Sequence, residues 1–369
     1  MAKEIKRQKV VVGMSGGVDS SVAAVLLKRA GFDVVGVMMK FWKDGKSGKN
    51  ACCSIESEKV ARLVAKKIGI PFYVVNVERE FKKKVVDYFL QEYMAGRTPN
   101  PCVMCNKEIK FGLFLEKAQK MGAGFVATGH YARTSLSNNP SLANKLFSPA
   151  KSLLPRELKL LKGKDTDKDQ SYFLWKLNQK QLSKVLFPVG NYTKPEVRKL
   201  AEKFNLPSAS AKESQEVCFV QNTTNEFLKK YLKQNPGNII NLAGKIIGQH
   251  NGLWFYTIGQ RRALEIPQGP WYVVDKDFKK NVLIVSKNKK DLLKKELIAK
   301  NVNWISPQKP PIKAEVKIRY KSKLAKTRIL RYKKNSVRVI FEKPQQAITP
   351  GQSVVFYQKN ELLGGGIII

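Results

Sequence analysis

Two groups of residues in this 369-residue chain have the types and spacing for chemistry, and they lie far apart. The first is Ser15-Gly16-Gly17-Val18-Asp19-Ser20-Ser21, which follows the strand-like run KVVVGM of residues 9–14 and opens the helical stretch VAAVLLKRAG. Adjacent glycines let the backbone approach an anion closely, the serines add hydroxyl donors, and the helix N-terminus supplies the positive end of its dipole. The segment reads as a phosphate cradle. A turn that merely capped a helix would explain the glycines but not the hydroxyls together with Asp19. The loop lacks the GxxxxGK[ST] lysine of common nucleoside-triphosphate loops, and it has no GxGxxG dinucleotide fingerprint.

The second group is made of thiols. After Arg97-Thr98-Pro99-Asn100-Pro101 the chain reads Cys102-Val-Met-Cys105-Asn106-Lys107 and enters the amphipathic stretch KEIKFGLFLEKA. A thiol at a helix N-terminus beside Lys107 is expected to favour thiolate, which makes Cys105 a candidate nucleophile. As half of a zinc site the CxxC would need a second pair, and there is none. Cys218, in ESQEVCFV, reads by itself as a core residue. Cys52 and Cys53 open a predicted helix and read as packing. Five cysteines are too few for a disulfide framework in a chain of this length, so reduced thiols are expected. Two histidines leave little for a His-rich zinc site or a Ser-His-Asp hydrolase.

A scaffold must hold both groups. From Lys9 to His130, short apolar runs (9–14, 34–39, 72–77, 125–130) alternate with helical stretches (18–30, 54–68, 81–94, 107–121). That order predicts an α/β domain with a doubly wound, Rossmann-like parallel sheet. Residues 135–160, rich in Ser, Asn, Pro and Lys, read as a surface insertion. Helical patterns return at 178–186 and 194–204, the second with Thr193 as N-cap and Pro195 early in the helix. A boundary is expected within 206–216. From about 236 the texture becomes short β-rich runs with Gly and Pro, broken again over 301–311. The expected division is therefore 1–212, then two small β-rich domains at 213–300 and 301–369, the last a closed β-barrel.

Lys plus Arg number 68 against 29 Asp plus Glu, a formal charge of +39 that calls for a polyanionic partner such as nucleic acid. No apolar run approaches bilayer length, so no membrane partner is expected. The N-terminus MAKEIKRQKV has no signal-peptide core, and a cytoplasmic location follows.

SGGVDS resembles the loop of the PP-loop ATP pyrophosphatases, which cleave ATP between its α and β phosphates and adenylate a carbonyl oxygen. The resemblance implies that ATP binds with Mg²⁺, Asp19 helping to hold the metal against pyrophosphate. The loop alone leaves the nucleophile open among ammonia, an amino acid and a sulfur species. With NPCVMCN and ESQEVCFV, and with the further blocks ATGHYAR, KDQSYFLW, HNGLWFYTIGQRRAL and PGQSVVFYQKNELLGGGI, nearly the whole chain resembles the bacterial tRNA-specific 2-thiouridylases.

That family implies transfer of sulfur to C2 of the wobble uridine, position 34, after adenylation of O2. Cys218 would carry the persulfide and Cys105 would be its partner thiol. Cys102 stands where many members have an Asp with an acid/base role. Cys102, Cys105 and Cys218 could instead hold three irons of a [4Fe–4S] cluster. ATP would bind at Gly13, Met14, Ser15, Gly16, Gly17, Val18, Asp19, Ser20, Met39 and Gly129. The tRNA anticodon stem-loop would meet Asn100, Pro101, Cys102, His130, Lys168, Asp169, Gln170, Arg319, Tyr320 and Gln352. A sulfur carrier or persulfide donor protein would be a second partner.

Overall fold

Val10, Val11 and Val12 are fully buried in succession, as a strand must be when helices cover both faces of its sheet. A computed structural model describes residues 7–45, 53–135, 157–211, 217–264 and 266–369. Its first strands are β1 Lys9–Gly13, β2 Asp33–Lys40, β3 Phe72–Asn76, β4 Phe125–Ala127, β5 Ala132–Thr134, β6 Leu160–Lys162 and β7 Val185–Leu186. Five of them form a parallel sheet in the order β3-β2-β1-β4-β7. Val10 and Val12 turn to one apolar cluster while Val11 turns to another, the period of two that a pleated strand imposes.

Helices connect these strands. Val18–Arg29 follows β1 directly, and Ile55–Ile68 starts at Ser54, whose side chain accepts the Ser57 N–H, and stops at Gly69 in the left-handed region, φ 62°. The chain leaves β1 toward β2 and returns on the other side as β4, so a crevice opens at the carboxyl ends of these strands, where open α/β sheets place ligands. Lys194–Lys203 begins with the expected Thr193 cap, here a full capping box with Glu196.

One helix departs from its expected start. The stretch predicted from 107 begins at Pro101, running as Pro101–Met104, a π-helical span Cys105–Leu113 and Phe114–Lys120. Pro101 suits the first helical turn because its missing N–H is not needed there. Cys102, and not Cys105, therefore occupies the first turn.

The remaining strands are β8 Gly237–Asn241, β9 Ile246–His250, β10 Tyr272–Asp277, β11 Val282–Ser286, β12 Leu293–Trp304, β13 Ile312–Lys317, β14 Ala325–Arg331, β15 Ser336–Gln346, β16 Ser353–Gln358 and β17 Glu361–Ile368. The first four form a sheet ordered β10-β11-β8-β9. The last six close on themselves, because β12 pairs with both β15 and β17. This is the expected barrel, filled by Val316, Ile329, Val339, Phe341, Val354 and Phe356.

The barrel is not a separate bead. β6 adds to β17 through Glu361↔Leu161 and Leu362↔Leu160, and β5 adds to β6, so the hairpin at the base of the 135–160 insertion extends the barrel sheet. Residues 136–156 of that insertion lie outside the described residues. Trp175, fully buried, donates its indole N–H to Ser353 Oγ at 2.9 Å, and the Tyr172 hydroxyl donates to the Ser353 carbonyl at 2.9 Å. Ser353→Ala leaves the indole N–H buried without an acceptor. It is expected to lower unfolding stability by about 1–3 kcal/mol, read from denaturant midpoints.

Candidate active site

The phosphate loop has the geometry its residues promised. Gly16 takes φ 79°, and a Cβ there would stand 2.3 Å from the Ser57 carbonyl oxygen, so only glycine fits. Gly17 caps the helix with no side-chain hydrogen bond, which leaves the first-turn N–H groups of Val18, Asp19 and Ser20 as the orphan donors of a helix start. Ser20 Oγ accepts the Ser15 N–H at 3.2 Å and donates to the Gly17 carbonyl at 3.1 Å, which locks the turn.

Gly129 follows β4 and presses on this helix start. A Cβ there would lie 2.7 Å from Asp19 C and from Ser20 N. Met14 and Met39 are buried nearby, and the Met39 methyl would meet a Cβ on Gly13 at 3.7 Å. The structure thus brings Gly13 to Ser20, Met39 and Gly129 together at one crevice.

Asp19 has partners that sequence reasoning missed. Lys194 Nζ approaches its two carboxylate oxygens at 2.7 and 2.8 Å, and the Tyr131 hydroxyl donates to Oδ1 at 2.7 Å. Lys194 was visible only as the residue between Thr193 and Pro195. Nothing local ties it to a loop 175 residues earlier.

The segment bearing Cys102 and Cys105 is gripped from three sides. Thr98 N–H donates to the Pro350 carbonyl at 2.8 Å, the Thr98 and Thr257 hydroxyls meet at 3.0 Å, and Gln352 Nε2 donates to the Thr98 carbonyl at 2.8 Å. Lys276 donates to the carbonyls of Gly96 and Tyr256 at 2.7 and 2.9 Å, and its burial pushes its pKa down to about 8. Asn106 Nδ2 donates to the Phe173 carbonyl at 3.1 Å. Asn100 caps the helix in an extended conformation, with Pro101 buried behind it.

Cys102 is exposed, Cys105 is buried and Cys218 is half-buried. Cys105 belongs to the large apolar cluster against which Val217 and Cys218 pack, and Phe219 makes edge contacts there with Phe81 and Phe89. Two thiols 113 positions apart thus border one core. Residues 212–216, before Cys218, lie outside the described residues, as does Cys52; Cys53 is buried, as packing required.

Among the described residues no three His, Cys, Asp or Glu are grouped to hold a metal ion. As placed, exposed Cys102 and buried Cys105 do not fit one iron–sulfur ligand set with Cys218. Mg²⁺ has a better fit, since it takes one or two carboxylates and completes its shell from phosphates and water.

The expected RNA residues divide by environment. Lys168 is half-buried, its N–H held by Asp165 Oδ1 at 3.0 Å. Asp169 is 3% exposed and accepts from the N–H groups of Gly163 and Ser171, both at 3.1 Å. Gln170 is tied to Tyr131 twice: its N–H donates to the carbonyl at 2.9 Å, and its Oε1 accepts the N–H at 3.0 Å. His130 is buried against Phe111 and Phe187, with Nδ1 2.8 Å from Thr128 Oγ1; burial and Lys110 hold its pKa well below the usual imidazole range. Arg319 Nη2 donates to the carbonyls of Ile258 and Ala347 at 3.0 and 3.1 Å and to Thr349 Oγ1, bolting the barrel to the middle sheet region. Tyr320 lies 4.5 Å, ring to ring, from Phe173.

Comparison with known proteins agrees with this architecture. Residues 8–222 match a tRNA methyl transferase HUP domain, 225–287 a tRNA methyl transferase PRC-barrel domain and 294–368 an aminomethyltransferase beta-barrel domain. The tRNA-specific 2-thiouridylase MnmA of Alkaliphilus oremlandii is 47% identical over all of this chain and 99% of its own length. The tRNA-specific 2-thiouridylase MnmA 2 of Thermoanaerobacter sp. is 46% identical over 98% of this chain and 97% of its own, and that of Geobacillus thermodenitrificans, named MnmA, is 45% identical over 100% and 96%. With its phosphate loop, its clamped thiol segment and this full-length identity, the chain belongs to the tRNA-specific 2-thiouridylase family, within the PP-loop superfamily.

Proposed function

We propose that this chain is a tRNA-uridine 2-sulfurtransferase that uses ATP and Mg²⁺ to convert the wobble uridine to 2-thiouridine. The observation that carries the reading is that a built phosphate cradle and a three-sided clamp on the Cys102–Cys105 segment occur together in a chain nearly half identical to 2-thiouridylases along its whole length.

In this reading the loop from Gly13 to Ser20, with Met39 and Gly129, holds ATP so that O2 of the uridine attacks the α phosphate and pyrophosphate leaves. The sulfane sulfur on Cys218 attacks C2, and AMP departs with O2. Cys105 then attacks Cys218 Sγ, closing a disulfide and releasing the C2 thiocarbonyl. A thiol reductant or the donor protein restores both thiols. Mg²⁺ supplies charge neutralisation at the pyrophosphate, and Asp19 is the carboxylate placed to hold it. The sulfur comes from a carrier or persulfide donor protein, and the reaction runs in the cytoplasm. No helix among the described residues is long and apolar enough to cross a membrane.

The anticodon base must leave its stack, at a cost of a few kcal/mol that backbone contacts offset. Lys168 and Tyr320 are suited to touch RNA directly. Asp169, Gln170, Arg319 and Gln352 act through the loops they hold, and His130, neutral and buried, shapes the wall beneath. The test is incubation with unmodified tRNA, ATP, Mg²⁺ and a persulfide donor, with 2-thiouridine and AMP measured together. Both are expected in equal amounts; AMP without 2-thiouridine, or neither, would reject the proposal. With a charge of +39, tRNA affinity is expected to fall roughly 10³-fold between 50 and 200 mM salt, and a flat profile in filter binding would remove the RNA assignment.

A further inference from the structure

We infer that Lys194 exchanges partners when nucleotide binds: it neutralises Asp19 in the empty loop, then turns its ammonium to the phosphate chain once Mg²⁺ takes the carboxylate. The inference rests on the ATP reading above and assigns a positioning and phosphate-binding role to a residue outside the loop.

The argument begins with charge. A carboxylate inside an anion cradle opposes a triphosphate, and this loop has no lysine of its own to offset it. The offset comes from Lys194, itself 7% exposed, while the Asp19 side chain stays 32% exposed on its open side. The carboxylate can therefore be reached by a cation from solvent while the ammonium waits behind it.

Lys194 is also oddly placed for a stabilising residue. It is the first residue of helix Lys194–Lys203, where the dipole disfavours a cation, and its partner Asp19 sits in the first turn of helix Val18–Arg29. Two helix N-termini, one ammonium and the Tyr131 hydroxyl thus surround a single carboxylate. The surplus is positive and suits an incoming polyanion. A buried ion pair alone is weak evidence of stability, because desolvation cancels much of the attraction.

Only the side chain has to move. The Lys194 N–H is fixed by Asp165 Oδ2 at 2.8 Å, and the capping box fixes the helix start. Tyr131 is held by Gln170 and keeps its hydroxyl on Asp19 throughout. The four-carbon stem of lysine can rotate between oxygens of the carboxylate and of a phosphate chain seated on the same helix N-terminus.

A double-mutant cycle separates exchange from static neutralisation. Binding of Mg²⁺ with a non-hydrolysable ATP analogue is measured by calorimetry for wild type, Asp19→Asn, Lys194→Met and the double variant, with thermal melts as a check of folding. Exchange predicts that Lys194→Met weakens binding tenfold or more even in the Asp19→Asn background, because a phosphate contact is lost. Static neutralisation predicts no loss in that background, a result that overturns the inference. If Lys194→Met does not melt cooperatively, Lys194→Gln, which keeps a polar head, replaces it under the same criterion. A wild-type protein that binds no nucleotide would sink the ATP reading itself, a failure distinct from an unchanged affinity in the cycle.

Discussion

Cys218→Ser and Cys105→Ser are each expected to reduce 2-thiouridine formation below about one part in 10³, because a hydroxyl neither carries sulfane sulfur nor attacks a disulfide at neutral pH. The two variants should fail differently. Without Cys218 no sulfur reaches the base, and the RNA is recovered unmodified. Without Cys105 the sulfur reaches C2 but the bond to Cys218 is not resolved, so a protein–RNA adduct accumulates and is released by dithiothreitol.

Gel mobility of labelled tRNA reads this difference directly. Nucleotide binding and melting temperature should change little in Cys218→Ser, since Cys218 is half-buried at the margin of its cluster. Cys105 is buried, so its serine variant needs the melt as a control. Full turnover in both variants would exclude sulfur transfer through these thiols and return the chain to the ligases that use ammonia or an amino acid.

Gly129→Ala should nearly abolish nucleotide binding. Its Cβ would stand 2.7 Å from Asp19 C and Ser20 N and 2.8 Å from Asp19 Cβ, so it meets backbone that cannot swing aside. Either β4 or the phosphate loop must shift, and the Ser20 N–H would be covered. Overpacking of this kind costs about 1–3 kcal/mol of stability. The larger effect is on binding, where displaced loop donors are expected to raise the nucleotide Kd about 10²-fold. Gly124→Ala is the matched control, since its Cβ would come no closer than 3.9 Å to the Lys9 carbonyl. Equal affinity in the two variants would mean that the anion does not sit on this helix start.

The parts of the molecule that sequence made legible are those fixed by short-range pattern. Consecutive buried valines in β1, the Ser-Gly-Gly turn and the Thr193 cap each depend on neighbours within a few residues, and each is found where it was expected. The start of the Cys105 helix was misplaced because a proline reads as a breaker until its Asn100 cap is seen. The β5–β6 hairpin escaped notice because three-residue strands carry almost no periodic signal. Its pairing with β17 spans about two hundred positions.

The chemistry itself, a phosphate cradle and a CxxC segment carried on an α/β scaffold with a β-rich tail, was determined by the order of residues alone, since turn geometry, helix dipoles and thiol reactivity are local properties. Only the tertiary structure decided which charges meet. Lys194 on Asp19, Gln352 on Thr98 and Arg319 on the Ile258 carbonyl join segments that share no pattern, and such contacts arise when buried polar groups find partners as the apolar faces close.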